Sequence, residues 1–143
     1  MAAPGPIAYG SSGGDAGRFV LRVALGVLIL FHGVSKLTGG NAFVTGTLAK
    51  VGMPEGLAYL VFIGEVLAPL LLIVGAWTRV AALIVALNMV VAVLLVHTGQ
   101  LFTLDKTGGY GLELQAMYLF AAMAVAFLGA GRYSLAGTRG RWN

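Results

Sequence analysis

The chain contains no cysteine. This excludes a dithiol or disulfide relay within it, thiolate zinc, iron–sulfur ligation and covalent haem attachment. Charge is also scarce: 10% of the 143 residues are Asp, Glu, Lys or Arg, against about 25% in a soluble domain. The basic residues are dispersed, and no basic patch with interleaved aromatics supports a nucleic-acid partner. The first 17 residues, MAAPGPIAYGSSGGDAG, lack the positive start and apolar core of a secretory signal. Their Gly/Pro/Ser content predicts a disordered tail. The period-two alternation of β-barrel strands is missing as well.

What remains is apolar. Hydrophobic residues make up 59% of the chain, and mean hydropathy is +0.92. Four apolar segments, at about 19–37, 57–77, 80–96 and 112–128, are each about 17 to 21 residues long. That suffices to cross a hydrocarbon core of about 30 Å at 1.5 Å per residue, the third only just. The expectation is an all-α integral membrane four-helix bundle. Its single domain, residues 18–131, lies between the N-terminal tail and a basic tail, 132–143.

The linkers carry further signals. TGGNAFVTGTLAKVGMPEG is long enough for a short amphipathic piece at about 42–51, and HTGQLFTLDKTGGYG is Gly-rich. Arg18, Arg22, Arg79, Arg132, Arg139 and Arg141 fall on one side of the membrane. Lys36, Lys50 and Lys106 fall on the other, with Glu55, Asp105 and Glu113. The positive-inside rule then puts both termini in the cytoplasm, for a multi-pass membrane protein. Arg18, Arg79, Arg132, Arg139 and Arg141 read as interfacial anchors, and Tyr9, Trp77, Tyr110, Tyr133 and Trp142 as belt or tail aromatics. RVALGVLILFHG and RVAALIVALNMVVAVLLVHTG each open on Arg-Val-Ala (Arg22, Arg79) and close on a histidine near glycine (His32, His97). This suggests a two-plus-two helix repeat.

Function should reside in the polar residues within the spans, because an ionisable group at membrane depth costs roughly 2.5–3.5 kcal/mol and normally faces a bundle interior. His32 and Lys36 are four apart and share a helix face. Arg22 lies within about 40° of Lys36 at 100° per residue. Glu65 is mid-span, between VFIG and VLAP, with no route to the surface. Pro69, one turn later, frees a backbone carbonyl near residue 65 and favours a local bend beside the carboxyl. Glu65 or Glu113 would neutralise Lys36. His32, Lys36, Glu65, His97 and Glu113 are the candidates for ligand binding or proton handling, while Arg22, Asn88 and Gln115 read as polar packing.

The segments RVALGVLILFHGVSKL, GEVLAPLLLIVGAWTRVAAL and GYGLELQAMYLFAAMAVAFLGAGRYSLAG, taken in order, resemble the DoxX family of small bacterial four-helix membrane proteins. The shared pattern spans about residues 18–137 and includes His32-Gly33-x-x-Lys36, Glu65, Gly75, Thr78-Arg79 and the closing Gly-x-Gly-Arg-x-Ser-Leu-Ala. The resemblance implies relatives that look like membrane subunits of a thiosulfate:quinone oxidoreductase, and others tied to oxidative-stress and thiol-redox partners. It carries His32, Lys36 and Glu65 over as polar positions. Thiol-using quinone reductases have cysteines, so that mechanism would here require a partner.

The expected function is a quinone-linked redox accessory subunit working with a partner protein, with quinone as the expected cofactor and no evidence for metal or haem. The alternative is a non-enzymatic membrane scaffold or homo-oligomer with a structural polar cluster. Ligation of a metal or haem by His32 and His97 ranks lower, because Lys36 would repel a cation. Transport ranks last, because four short spans are few for a carrier.

Overall fold

A computed structural model describes residues 12–137, 140, 142 and 143. Among these residues, five helices make up the fold: α1 (Ser12–Gly39), α2 (Ala42–Lys50), α3 (Glu55–Val74), α4 (Thr78–Val96) and α5 (Glu113–Leu128). No strand forms among the described residues. The protein is an all-α membrane protein. α1, α3 and α4 are long and apolar enough to span. α5 has 16 residues, or about 24 Å of helix. The spans run antiparallel, each packs on the next, and α5 closes against α1.

The burial pattern is that of a protein dissolved in lipid. Large apolar side chains such as Phe31, Leu87, Phe120 and Phe127 face outward, while Arg22, Glu65, Thr78 and Asp15 are buried. A water-soluble bundle would reverse this. The core uses small residues, including Ala68, Ala81, Ala82, Ala86 and Ala122, around Leu25, Ile29, Leu72 and Val85. Small side chains let helices approach where water supplies no driving force between them.

Two boundaries differ from the sequence reading. α1 begins at Ser12, inside the stretch expected to be a tail, because Asp15 is buried against the other terminus: it accepts from Arg18 (3.2 Å) and from the backbone N–H of Arg132 (3.4 Å). The C-terminal stretch likewise lies across the bundle end. Leu135 N–H donates to the Val74 carbonyl (2.9 Å), and Thr78 Oγ1 donates to Asn143 Oδ1 (3.1 Å). Residues 1–11, with Tyr9, and Arg139 and Arg141 fall outside the described residues.

The arginines read as a topology signal and a packing residue do matching work. Arg22 donates to the carbonyls of Leu72 and Ile73 (2.8 Å to the latter), the last turn of α3. Arg79 donates to Ala126 (3.1 Å) and Phe127 (3.2 Å), the last turn of α5. Each acceptor pair stands three and two residues before a glycine at φ 74°, Gly75 or Gly129. A helix end leaves four carbonyls without partners, and in an apolar medium they must be met from within the protein. The expected two-plus-two repeat thus has a structural counterpart, and Arg79 is more than an interfacial anchor.

Candidate functional site

α3 is interrupted where its sequence asks for it. Pro69 has no N–H to give the Glu65 carbonyl, and residues Ile63–Leu67 form a π-helical turn, with Ala68 N–H bonding five residues back to Ile63. Such widened turns recur at functional sites. Glycine on α1 completes the fit: a Cβ at Gly33 would lie 2.2 Å from the Glu65 carbonyl oxygen, and one at Gly26 would lie 2.9 Å from that of Pro69. These two glycines let α1 lie backbone-close to α3. Gly64 makes the same allowance for α4, where a Cβ would meet Asn88 Cγ at 2.6 Å.

These approaches set Glu65 between Lys36 and Asn88. Lys36 Nζ donates to both carboxylate oxygens, at 2.5 Å to Oε1. Asn88 Nδ2 donates to Oε1 at 3.5 Å. The Glu65 side chain is 7% exposed and that of Lys36 is 29% exposed. Of the two carboxylates that would neutralise Lys36, the fold selects Glu65.

The pair borders a cavity of about 200 Å³. Its polar wall is His32, Lys36, Glu65, Asn88, His97, Gln115, Tyr118 and Thr47, the last on α2; its apolar wall includes Ile29, Met89 and Leu95. His32 meets Tyr118 edge-on, with ring centroids 6.1 Å apart, and stands exposed at the rim. His97 Nε2 lies 3.4 Å from Gln115 Nε2. An amide nitrogen only donates, so Nε2 accepts in this arrangement. His97 Nδ1 is buried with no partner among the described residues.

One candidate is not part of the cavity. Glu113 is exposed and absent from the wall. Its Oε2 flanks Gly109, beside Asp105. The reason is helical phase: Gln115 and Tyr118, three apart, face inward together, while Glu113 lies about 200° from Gln115. Arg22 is at the opposite end of the bundle. Conversely, Gln115 and Asn88, read as packing, belong to the cavity, and so do Tyr118 and Thr47, which are not among the candidates derived from the sequence. The spacing of Gln115 and Tyr118 is a signal that could have revealed Tyr118; Thr47 has none, because the placement of α2 is tertiary.

In the loop before α5, Asp105 Oδ1 accepts from Thr107 N–H (2.8 Å), Thr107 Oγ1 (2.7 Å) and Gly109 N–H (2.9 Å). These bonds, led by the Thr107 hydroxyl, hold its pKa below the ordinary aspartate value.

Comparison with known proteins places this architecture. The DoxX family profile matches residues 17–98, more than half of the chain. A Haemophilus influenzae protein of unassigned function is 32% identical over 118 residues, covering 80% of this chain and 84% of that one. A Bacillus subtilis protein named "Putative oxidoreductase CatD" is 28% identical over 105 residues, covering 73% of this chain and 78% of its own. No solved structure matches the chain significantly. The matched span contains Arg22, His32, Lys36, Glu65 and Arg79, and the chain belongs to the DoxX family.

Proposed function

We propose that the protein is a quinone-linked redox accessory subunit of the bacterial inner membrane, supplied with electrons by a partner protein. The observation that carries this reading is a part-buried ion pair, Lys36–Glu65, on the wall of a largely apolar cavity at membrane depth. A neutral ring compound with carbonyl acceptors suits such a site: apolar walls take the ring, and donors on Lys36, Asn88 and Gln115 reach its oxygens. At about 200 Å³ the cavity is smaller than the roughly 300–1,000 Å³ of drug-sized pockets, so it suits a single ring with any tail left outside. A bound quinone would supply a two-electron, two-proton acceptor. Glu65 would hold or release a proton, and Lys36 would stabilise its charged form. The oxidoreductase name of the Bacillus subtilis relative supports this reading.

The test is mass spectrometry and ultraviolet–visible spectroscopy of the protein extracted in mild detergent, followed by quinone titration of the unmodified chain and of Glu65→Gln. Bound quinone, weakened by Glu65→Gln in a folded variant, supports the reading; no co-purifying quinone and no binding overturns it.

A second reading has its own observation. Lys36, Glu65 and Asn88 link α1, α3 and α4, as a purely structural tie would. A scaffold role predicts that Glu65→Gln impairs folding or assembly and changes no chemistry.

A further inference from the structure

The cavity has two ends of opposite character. Between Glu65 and the bonds of Arg22, no polar side chain among the described residues faces the bundle axis. Residues 23–31 of α1, 66–74 of α3, 80–87 of α4 and 119–128 of α5 contain no side chain that bears a polar group other than the weakly polar thioether of Met123. Leu25, Ile29, Ala68, Leu72, Ala82 and Val85, none more than 3% exposed, fill that level. From Glu65 to Leu72 the plug is about 10 Å thick at 1.5 Å per residue.

The other end is roofed by α2. Phe43, Val44 and Thr47 of α2 line the cavity together with the ion pair. α2 packs on the start of α3, Glu55–Tyr59, and more thinly on α4, but little of it is buried. Its threonine hydroxyls bond only to carbonyls at its own start, and Leu48 is its one buried residue. The side chain of its N-cap, Asn41, makes no capping bond. Gly40 (φ 84°) and Gly52 (φ 71°) bracket it, and a Cβ at either would touch nothing within 4 Å. An element held by few buried contacts and flanked by permissive glycines belongs to the low-stability end of a fold.

We infer that the cavity exchanges ligand and protons at one face of the membrane only, with α2 as a hinged lid over that opening and the apolar plug sealing the face that carries the termini. This does not require the ligand to be a quinone. Any proton taken up or released at Glu65 then moves to or from the α2 face.

Because the chain has no cysteine, single substitutions report without background. Lys50→Cys and Leu135→Cys, both at exposed positions at opposite ends, mark the two faces of sealed vesicles. An impermeant maleimide should label Ala92→Cys, on the cavity wall, from the Lys50 face alone, and should leave Val85→Cys, in the plug, unlabelled from both. Labelling of either from the Leu135 face overturns the seal. Hydrogen exchange on the unmodified chain tests the lid: amides of residues 42–50 should exchange more than about tenfold faster than those of residues 25–33. Equal protection overturns it. Quinone titration of the unmodified chain stands apart: its failure with one-sided labelling intact removes the quinone reading and leaves this one.

Discussion

The molecule consists of two helical hairpins, α1–α3 and α4–α5, built to one plan and put to different uses. In each, an arginine of the first helix meets the last carbonyls of the second: Arg22 those of Leu72 and Ile73, Arg79 those of Ala126 and Phe127. Each second helix ends at a glycine with φ 74°. The charged pair is not duplicated. Lys36 stands 14 residues after Arg22, and the position 14 after Arg79 is Val93; Glu65 stands 10 before Gly75, and the position 10 before Gly129 is Leu119. The π-helical turn is likewise confined to the first hairpin among the described residues. The clamp is thus the common scaffold, a response to carbonyls that lipid will not satisfy. The ion pair is an addition to one half, and that asymmetry marks the site.

The largest expected effect comes from removing a clamp. Arg22, itself 1% exposed, donates to the Leu72 carbonyl in a buried bond and to those of Ile73 and Tyr133 in part-buried ones; at about 1–3 kcal/mol for a buried group left unpaired, and less for the other two, Arg22→Ala should lose about 3 kcal/mol. Arg79 is half-buried, so water can replace part of its bonding, and Arg79→Ala should lose about 1–2 kcal/mol. Reversible unfolding in detergent measures both. Equal losses, or a larger one at Arg79, would break the scaffold comparison.

Next is the ion pair. Glu65→Leu alone leaves Lys36 unpaired and should destabilise by about 2 kcal/mol, less than for a fully buried pair because Lys36 keeps solvent access. Adding Lys36→Met should recover most of that loss while abolishing ligand binding. A double variant that stays as unstable as the single would show the cavity to be a packing device shared with the second hairpin.

Close approach comes third. Gly33→Ala should destabilise by about 1–3 kcal/mol, as overpacking does, because the new methyl would meet backbone at 2.2 Å. Gly17→Ala meets nothing within 4 Å and should stabilise α1 by about 0.5–1 kcal/mol. The same unfolding measurement separates them, and a neutral Gly33→Ala would contradict the contact between α1 and α3.

The smallest effect is at Asp105, in the loop that joins the helices of the second hairpin. Its folded pKa is depressed, so its contribution is fully present above the ordinary aspartate pKa of about 3.9 and disappears as pH falls through the lower folded value. Nuclear magnetic resonance of the Thr107 and Gly109 amides should report loss of their bonds on acidification below that range. Amide shifts that already change between pH 7 and 5 would count against a depressed value.

Much of this was legible beforehand, for reasons that differ by residue. Glu65 announced itself, because a carboxylate amid apolar residues at mid-span has no solvated alternative. Its local distortion was readable too, since Pro69 lacks an N–H whatever surrounds it. Glu113 misled because it is near the other candidates in depth, and depth along a span says nothing of which way a residue faces. Arg79 was underestimated because a basic residue beside a span has the same sequence signature whether it snorkels to a headgroup or turns inward to a helix end.

The solvent, the helical class and the level in the membrane at which chemistry could occur are written in the order of the residues alone. Hydropathy, span length and the positions of ionisable groups are properties of one chain segment at a time. Which carboxylate meets Lys36, which carbonyls the two arginines satisfy, and that α2 lines the cavity follow from packing. Each of these depends on how neighbouring helices are rotated about their axes. That rotation is set by side-chain and glycine contacts between segments distant in sequence, such as Gly33 against Glu65 and Gly64 against Asn88.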